Sequence, residues 1–460
     1  MTDFKEYLKA IDDNSQEAIK LANDLWDNPE LCFGEYKSSE LIMEALQKHG
    51  FKITKGLANI PTAFKAEYGS GSPSIGVLAE FDALPDLNFE AGKTEPVRRS
   101  DAKNGHGCGH NLFAGGSFAA AVALKEYVEK VGKGKITLFG CPGEENGGGK
   151  VYMVRDHVFD GVDAIVSWHP EKMHMVRTRP SLANIKVNYS FKGTPAHAGG
   201  SPQLGRSALD AVELMSVGVN YLREHMDPTS RIHYAYLDAG GEAPNIVQSK
   251  AKVTYMIRAC EGSDVKELFN RVTKVAQGAA MMTETEVSYE IIGAYSNLIT
   301  IPTLQQTGWE VMQQIPAPVP TQEDLEFGEA LRKTMNLTKE QKNSTVYAEK
   351  ALTPAPPKAH GGSTDTSDVS WNVPTVQFHI GTWAVGTPGH SWQAVSQGKS
   401  RFAHEAMLYA ARILTGTAIR LYTEPELLEK AKQEHFEKTG GEYISPLPEG
   451  LMPKIRPRED

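Results

Sequence analysis

Residues 105–111 read "GHGCGHN" and place two histidines and a cysteine within five positions, separated only by glycines. Imidazole and thiolate are ligands that zinc prefers in proteins. A flexible loop that happens to contain histidine would have the same composition, and His106, Cys108 and His110 need not share one role. The run therefore predicts part of a metal site only if further donors come from elsewhere in the chain.

Further donors follow four segments that read as buried strands, namely "IGVLAEF", "ITLFGCP", "AIVSW" and "VQFHIG". Because ligands in α/β sheets gather at the carboxyl ends of the strands, we expect these donors to meet the cysteine–histidine loop there. Carboxylates added to imidazole and thiolate suit zinc, with manganese as the alternative. The donors are Asp82, Glu144, Glu145, His169 and His390.

Two of these donors are adjacent glutamates, Glu144 and Glu145, between a buried strand and the run "NGGG". Taken alone, such a pair is usually solvated surface, but this position favours a site. One glutamate can bind a metal ion while the other takes a proton from water that the ion acidifies, and then returns it to a leaving amine. The pair therefore indicates hydrolysis of an amide.

The composition is that of a globular protein, since 40% of the 460 residues are hydrophobic and 23% are charged. A net charge of −9 predicts no basic face for nucleic acid. No apolar run approaches the ~20 residues that span a bilayer, and the charged N-terminus predicts no signal peptide. Four scattered cysteines are too few for a disulfide framework. We expect a cytoplasmic protein without nucleic-acid or membrane partners.

The elements that must position these residues follow two patterns. Strand and helix patterns alternate over residues 1–185 and again over 294–460, which predicts an α/β catalytic domain with a largely parallel sheet. Residues 186–293 instead combine half-exposed strands with two helices, as in a small α+β layer. One domain is therefore expected to interrupt the other. Residues 392–415 are predicted as one long helix, and the charged, proline-bearing tail 423–460 is expected on the surface.

Seven short motifs carry a resemblance to a known family. They are "FDALP", "GHGCGHN", "PGEEN", "SWHP", "GTPAHAG", "APN" and "GTPGHS". In this order, over roughly residues 15–415, they resemble the dinuclear metallopeptidases and amidohydrolases of the aminoacylase/carboxypeptidase G2 group. "GCPGEENGGGK" resembles the branch of p-aminobenzoyl-glutamate hydrolases and related dipeptidases. The resemblance implies a catalytic domain of the zinc-peptidase type, interrupted by an α+β lid domain that dimerises.

The resemblance also implies a role for each donor. Two divalent metal ions, Zn or Mn, would share five ligands, while Glu144 would be the catalytic base and Asp82 would orient a ligand. His106 would lie outside the ligand set. The implied ligands are Cys108, His110, Glu145, His169 and His390.

Three residues of the predicted lid match positions that contact substrate in the family. His197 in "GTPAHAGGSP" would enter the active site of the neighbouring subunit and stabilise an oxyanion there. Asn245 and Arg258 would recognise a substrate carboxylate, which suits the two-pronged guanidinium of arginine. The simpler alternatives are a loop histidine that caps the next helix and an exposed strand arginine.

Three departures from the family pattern affect these expectations. Glu80 stands where many relatives have histidine, so the ligand set is expected to shift to Cys108. Asn111 stands where many members of this branch have aspartate, which leaves one negative charge fewer near the metals. Residues 86–105 form a longer loop than compact members have, and this loop is expected to cover the site.

We predict a metal-dependent amidohydrolase that cuts the amide between an acyl or aryl group and an amino acid, p-aminobenzoyl-glutamate being the first example. A dipeptidase for unusual dipeptides, such as β-alanyl or basic ones, is the alternative. A non-catalytic partner subunit is a third hypothesis, and the full donor set disfavours it. The predicted assembly is a homodimer, with a related second subunit also possible.

Overall fold

The computed structural model describes residues 4–355 and 362–458. Its strands are β1 (Lys52–Lys55), β2 (Phe64–Ser70), β3 (Ser74–Glu80), β4 (Leu84–Pro85), β5 (Asn104–Gly105), β6 (Gly134–Cys141), β7 (Ala164–Glu171), β8 (Met175–Val176), β9 (Ala183–Lys192), β10 (Arg231–Asp238), β11 (Lys250–Ala259), β12 (Glu286–Tyr295) and β13 (Thr375–Gly381). Its helices are α1 (Lys5–Asp13), α2 (Ser15–Asp27), α3 (Tyr36–Lys48), α4 (His110–Val131), α5 (Gly149–Arg155), α6 (Ala208–Leu222), α7 (Gly262–Thr283), α8 (Pro302–Gln314), α9 (Gln322–Arg332), α10 (Lys339–Lys342), α11 (Thr366–Asn372), α12 (Trp392–Gln397), α13 (Arg401–Thr423) and α14 (Pro425–Thr439).

The larger sheet has seven strands in the order β1-β2-β6-β3-β7-β13-β8. Its four central strands, β6, β3, β7 and β13, are parallel, while β1, β2 and β8 pair antiparallel at the two edges. Every residue of β3 is buried, as expected for a central strand covered on both faces. The predicted α/β class is thus confirmed, and the parallel part is the centre of the sheet.

Helix α4 lies close against this sheet because its first half is built of small residues. A Cβ atom at Gly116 would come within 2.8 Å of the Trp168 ring on β7, and one at Gly115 would come within 2.6 Å of Met407 Sδ on α13. The helix begins at His110, so the histidine lies in its first turn. This close packing brings the cysteine–histidine loop to the carboxyl ends of the central strands.

The smaller sheet is antiparallel throughout, in the order β10-β11-β9-β12. Burial alternates along β11 with a period of two residues, so one face packs on α6 and α7 and the other remains open. This α+β unit, from β9 to β12, is called the lid below. The chain enters it after β8 and leaves it before α8.

One predicted helix differs from the structure. The expected helix 392–415 is two helices, α12 and α13, because the chain turns at Gly398 and Ser400 Oγ caps α13 by accepting from Ala403 N (3.2 Å). A side chain at Gly398 would meet the Trp26 ring at 2.7 Å, so the close approach requires glycine there.

None of the described helices is both long and apolar enough to cross a membrane.

Most of residues 423–458 lie on the surface as expected, but an amphipathic helix that was not predicted attaches this segment to the fold. Helix α14 buries Leu428, Ala431 and His435 against the catalytic domain, and His435 Nε2 lies 2.9 Å from Ser370 O. These residues recur every three or four positions, the spacing of an amphipathic helix, but the surrounding charges obscured the pattern. The chain after α14 then returns to the edge of the lid, where Lys454 lines a cavity.

Candidate active site

A cavity of about 530 Å³ lies between the carboxyl ends of the central strands and the open face of the lid sheet. Its catalytic-domain wall contains five of the residues that the sequence singled out. The lid contributes residues of β9, β11 and β12 to the opposite wall. The five residues are Cys108, Glu144, Glu145, His169 and His390.

The donors form three overlapping groups, and within each group the ligand atoms lie within 4.8 Å of one another. Cys108 and His110 each belong to two groups, so neighbouring groups have a ligand residue in common. The closest pairs are His110 Nε2–Glu80 Oε2 (3.2 Å) and His390 Nε2–Glu145 Oε2 (3.4 Å). The groups are Cys108 with His110 and His169, Cys108 with Glu145 and His390, and Glu80 with His110 and Glu144.

Orphaned polar atoms support a metal at this position. His110 Nε2, Glu80 Oε2 and Glu145 Oε1 are buried and form no hydrogen bond of acceptable geometry with any part of the chain that the structure describes. Buried polar atoms are rarely left unpaired in native proteins. Imidazole, thiolate and carboxylate together are the donor set of zinc and related divalent ions. The residues present therefore fit the ions that the sequence analysis expects.

Two of the histidines are held in the orientation that metal binding requires. His110 Nδ1 lies 3.0 Å from Asp82 Oδ1, and His169 Nδ1 lies 2.7 Å from Pro170 O, so each Nδ1 donates its hydrogen to an oxygen. The Nε2 lone pair of each ring is then free to bind an ion. Burial lowers the pKa of His169 to about 4, which favours the neutral imidazole.

Asp82 connects the first strand motif to the glutamate pair. Its Oδ1 accepts from His110, and its Oδ2 accepts from the backbone N–H of Glu145 at 2.9 Å. Burial opposes ionisation of this carboxyl, but the hydrogen bond and charge of His110 outweigh it, so the pKa of Asp82 is lowered. Asp82 thus contacts two of the donor residues, the ring of His110 and the backbone of Glu145.

A buried lysine beneath the site was missed by the sequence analysis. Lys150 Nζ lies 2.7 Å from Glu80 Oε1 and 2.6 Å from Asp365 Oδ1, and its backbone N–H donates to Asp365 Oδ2 (3.0 Å). Burial disfavours the charged lysine, but the two carboxylates raise the pKa of Lys150 well above its usual value. The ammonium fixes Glu80 with its other oxygen towards His110. A lysine within the otherwise uncharged run "NGGGKVYMV" was the available signal.

Glu144 lies at the cavity wall and belongs to one of the donor groups, with Glu80 and His110. Its pKa is raised well above the usual value, first by burial and then by the negative charges of Glu80, Asp365 and Glu145. Its backbone carbonyl accepts from Tyr295 Oη of β12 (3.3 Å), which ties the glutamate loop to the lid. A carboxylate with increased proton affinity next to metal donors can act as a general base and then as a general acid.

Two other residues of the cysteine–histidine loop, His106 and Asn111, donate hydrogen bonds to backbone carbonyls of other segments. His106 Nε2 donates to Leu25 O (3.1 Å), and none of the donor groups in the described chain includes this histidine. Asn111 Nδ2 donates to Ala22 O (3.2 Å) and Gly398 O (3.0 Å). An aspartate could not donate to these carbonyls, so asparagine at position 111 serves helix packing.

The long loop 86–105 was expected to cover the cavity, but it lies elsewhere. Phe89 packs on Trp26 and Val395, and the Arg99 guanidinium lies over the Trp26 ring at 4.7 Å. None of the described cavity-lining residues comes from this loop. The loop instead packs against α2 and α12.

The structure brings one of the three predicted lid residues to the cavity. Arg258 of β11 lines it, and its Nη1 donates to Ser363 Oγ (2.6 Å). His197 and Asn245 are exposed and are not among the described residues that line the cavity. His197 Nδ1 accepts from the backbone N–H groups of Gly199 (3.1 Å) and Gly200 (3.0 Å), which fixes the ring on its loop.

Residues 76–420 match the model of peptidase family M20/M25/M40. The chain belongs to this family. It is 41% identical to one of the subunits of p-aminobenzoyl-glutamate hydrolase from Escherichia coli K12, over 96% of this chain and 97% of the relative. It is 28% identical to the mouse Xaa-Arg dipeptidase, over 92% of this chain and 90% of that protein.

The crystal structure of a dinuclear metal-binding M20 peptidase from Bacillus subtilis shares the fold. The TM-score is 0.61 at 16% identity, and the match covers 89% of this chain and 98% of the other. The expected family and fold are therefore confirmed, and the chain is a hydrolase of the metallo-amidase and metallopeptidase class. The donor groups and the family together indicate divalent metal ions as cofactors.

Proposed function

We propose that this enzyme hydrolyses the amide joining an acyl or aryl group to an amino acid, with p-aminobenzoyl-glutamate as the first substrate to test. The observation that carries the proposal is the position of Glu144, at the wall of a cavity and within one of three overlapping groups of metal donors. The near full-length similarity to a p-aminobenzoyl-glutamate hydrolase chain supports this substrate.

We further propose that the cofactor is a pair of divalent ions, Zn or Mn. The proposed ligands are Cys108, His110, Glu145, His169 and His390, and Glu80 is an additional donor that the structure adds to this set. When bound, such ions supply positive charge that polarises the scissile carbonyl and makes an attacking water more acidic.

The chain's own groups then have distinct tasks. The Glu144 carboxylate takes a proton from the attacking water while the water oxygen bonds to the carbonyl carbon. It then gives this proton to the nitrogen of the leaving amino acid, so that the amide C–N bond breaks and the acyl or aryl acid and the free amine result. Asp82 fixes the orientation of the His110 ring and the position of the Glu145 backbone through its two hydrogen bonds. The negative charge that develops on the carbonyl oxygen needs a donor, which we assign to His197 of a second subunit.

The lid supports assembly into a homodimer. Strand β10 is an edge of its sheet, and most of it is exposed. Most of the large apolar side chains exposed in the described chain also lie on the lid, including Leu214, Val217 and Tyr221 on one face of α6. Free strand edges and contiguous apolar faces are surfaces that proteins usually cover. We propose a two-fold dimer through this face, the commonest closed form.

A substrate panel tests the proposed activity. Purified protein, loaded separately with Zn and with Mn, is assayed on p-aminobenzoyl-glutamate, N-acyl amino acids, and β-alanyl and basic dipeptides. Turnover of the acyl or aryl amides supports the proposal. Turnover of the dipeptides alone would establish the dipeptidase alternative, which the similarity to Xaa-Arg dipeptidase favours. Activity only after addition of a second gene product would show that a related chain is needed, as the description of the bacterial relative as one of several subunits suggests.

The cellular location is also a proposal. All four cysteines are free in the structure, which fits a reducing compartment, and we place the enzyme in the cytoplasm. Fractionation of cells that express the protein at its natural level checks this assignment.

A further inference from the structure

The described lining of the cavity contains four cationic side chains besides the metal donors. They come from the catalytic domain, from the lid and from the segment after α14, so three distant parts of the sequence contribute them. The acids of the described lining are the two catalytic-loop glutamates and Glu171. The four cations are Arg177, Lys186, Arg258 and Lys454.

Arg177 is the most deeply placed of these cations. It directly follows β8, its backbone N–H donates to Gln377 O (2.9 Å), and its carbonyl accepts from Gln305 Nε2 (3.0 Å). Its Nη1 donates to Gln377 Oε1 (2.6 Å). The side chain therefore has a fixed position in the cavity wall, since both backbone and guanidinium are held by hydrogen bonds.

Arg177 has no carboxylate partner in an ion pair among the residues that the structure describes. Burial lowers its pKa to about 10, and the negative charges of Glu144 and Glu80 only partly oppose this effect. A buried charge without a paired counter-ion is costly for a fold. A guanidinium has five N–H donors in a planar fork that matches a carboxylate, and only one of them is used by Gln377.

Arg258 approaches the same cavity from the lid. Its Nη1 donates to Ser363 Oγ, which in turn donates to Leu182 O at 2.7 Å, so this guanidinium is also positioned. It too has no carboxylate in an ion pair within the described part of the chain. Two guanidinium groups, one from each domain, thus face a single cavity without an anionic partner.

We infer that Arg177 binds the side-chain carboxylate of a dicarboxylic leaving amino acid, whose α-carboxylate would meet Arg258, the carboxylate-binding position that the family resemblance implies. This inference rests on the proposed function and narrows its substrate class to amides of glutamate or aspartate. A ligand with two carboxylates supplies an anion for each of the two guanidinium groups. A basic leaving residue would instead place a third positive charge between them, so the site disfavours substrates of the Xaa-Arg kind.

The test compares two substrates of nearly the same shape, p-aminobenzoyl-glutamate and p-aminobenzoyl-glutamine, which differ by one negative charge. The metal-loaded wild-type enzyme should prefer the glutamate compound roughly 10- to 100-fold in kcat/KM, the size expected for one charge-assisted interaction. Arg177→Met should lower kcat/KM for the glutamate compound by about this factor and change that for the glutamine compound by less than about 3-fold. Arg177→Lys should keep part of the preference, since it keeps the charge but loses the fork.

Arg179→Met is the matched control, because it removes the same charge two residues further along an exposed part of the chain. It should leave the preference unchanged. Equal losses on both substrates in Arg177→Met would show that Arg177 acts through Glu144 or the fold, and would overturn the inference. An unchanged preference in a folded Arg177→Met enzyme would overturn it as well.

Calorimetry separates this inference from the proposed activity. Binding of free L-glutamate and L-glutamine to metal-loaded protein is measured for wild type, Arg177→Met and Arg177→Gln. Preferential binding of glutamate that is lost in both variants supports the dicarboxylate site, even if the panel shows no amide hydrolysis. Equal binding of the two amino acids by wild-type protein would contradict the inference, whatever the hydrolytic activity.

Discussion

At the scale of single residues, Lys150 balances the charge beneath the candidate metal site. Glu80 and Asp365 are buried and both contact its ammonium group, so one of the two negative charges is neutralised inside the fold. A buried carboxylate without a counter-charge is strongly destabilising. The lysine therefore makes it possible for the chain to carry glutamate at a position where many relatives carry histidine.

Removal of this ammonium should weaken both the fold and the metal site. We expect Lys150→Met to lower the free energy of unfolding by about 3–5 kcal/mol, since two buried carboxylates then face each other. The double variant Lys150→Met/Asp365→Asn should recover part of the loss, because one of those charges is gone. Urea denaturation and metal analysis of each protein check this, with the exposed Lys133→Met as control. Wild-type stability and metal content in Lys150→Met would contradict the account.

The sequence predicted which metal donors gather, because each follows a strand or begins a helix and the ends of parallel strands meet. It did not predict that Lys150 contacts Glu80 and Asp365, since these residues are far apart in sequence and no local pattern links them. Arg177 was missed for the same reason. Its contact with Gln377 depends on β8 pairing with β13, about 200 residues away in sequence, and β8 has only two residues.

At the scale of elements, α11 fixes both connections between the catalytic domain and the lid. Ser367 Oγ lies 2.7 Å from Ser181 Oγ, just before β9. Asp368 accepts from the backbone N–H (3.1 Å) and hydroxyl (2.7 Å) of Ser296, just after β12, and from Tyr443 Oη (3.0 Å). One short helix thus sets the position of the lid over the cavity and ties the segment after α14 to it.

Asp368 should give this junction a defined pH dependence. Burial raises its pKa to about 7, whereas an aspartate in the unfolded chain titrates near ~3.9. Between these pH values the folded protein retains a proton that the unfolded chain has lost, so raising the pH from about 4 to about 7 lowers stability. The wild-type protein should therefore lose on the order of a few kcal/mol relative to Asp368→Asn over this range.

Unfolding free energies of the two proteins, measured by urea denaturation at intervals from pH 5 to pH 8, check this sign. The difference in favour of the asparagine variant should grow with pH and level off above pH ~7. A difference that stays constant or shrinks as the pH rises would mean that Asp368 is ionised in the folded state.

The elements themselves were predicted where their pattern is strong. The central strands are continuous apolar runs, and β11 alternates with a period of two, so their types could be read directly. The break between α12 and α13 could not be predicted, because it depends on the contact of Gly398 with Trp26 from a remote helix. Helix α14 was missed because charged residues surround its few buried positions.

At the scale of the whole molecule, the active site is expected to be complete only in a dimer. His197 does not line the cavity of its own chain as described, and its lid loop is exposed. If it serves the partner's site, the His197→Ala and Glu144→Gln proteins, each nearly inactive, should regain activity when mixed and allowed to exchange subunits. Each heterodimer then has one site with both residues intact.

Assays before and after subunit exchange, with exchange proven by differently tagged subunits, measure this recovery. A mixture of equal amounts should approach about a quarter of the wild-type number of sites, since about half of the dimers are mixed and each of these has one intact site. A fully active monomer in sedimentation would exclude the assembly, and proven exchange without recovery would mean that His197 acts in its own subunit or not at all.

In the proposed mechanism Glu144 moves the proton while Glu145 holds metal, and a paired measurement distinguishes these two roles. Metal content and kcat are determined for Glu144→Gln and Glu145→Gln, which make the same change from carboxylate to amide at adjacent positions. We predict that Glu144→Gln retains the wild-type metal content and loses about 10²- to 10⁴-fold in kcat, the contribution of a positioned general base. Glu145→Gln should instead lose metal, with activity partly restored by excess ion. Equal metal content and equal residual rates in the two variants would contradict the account.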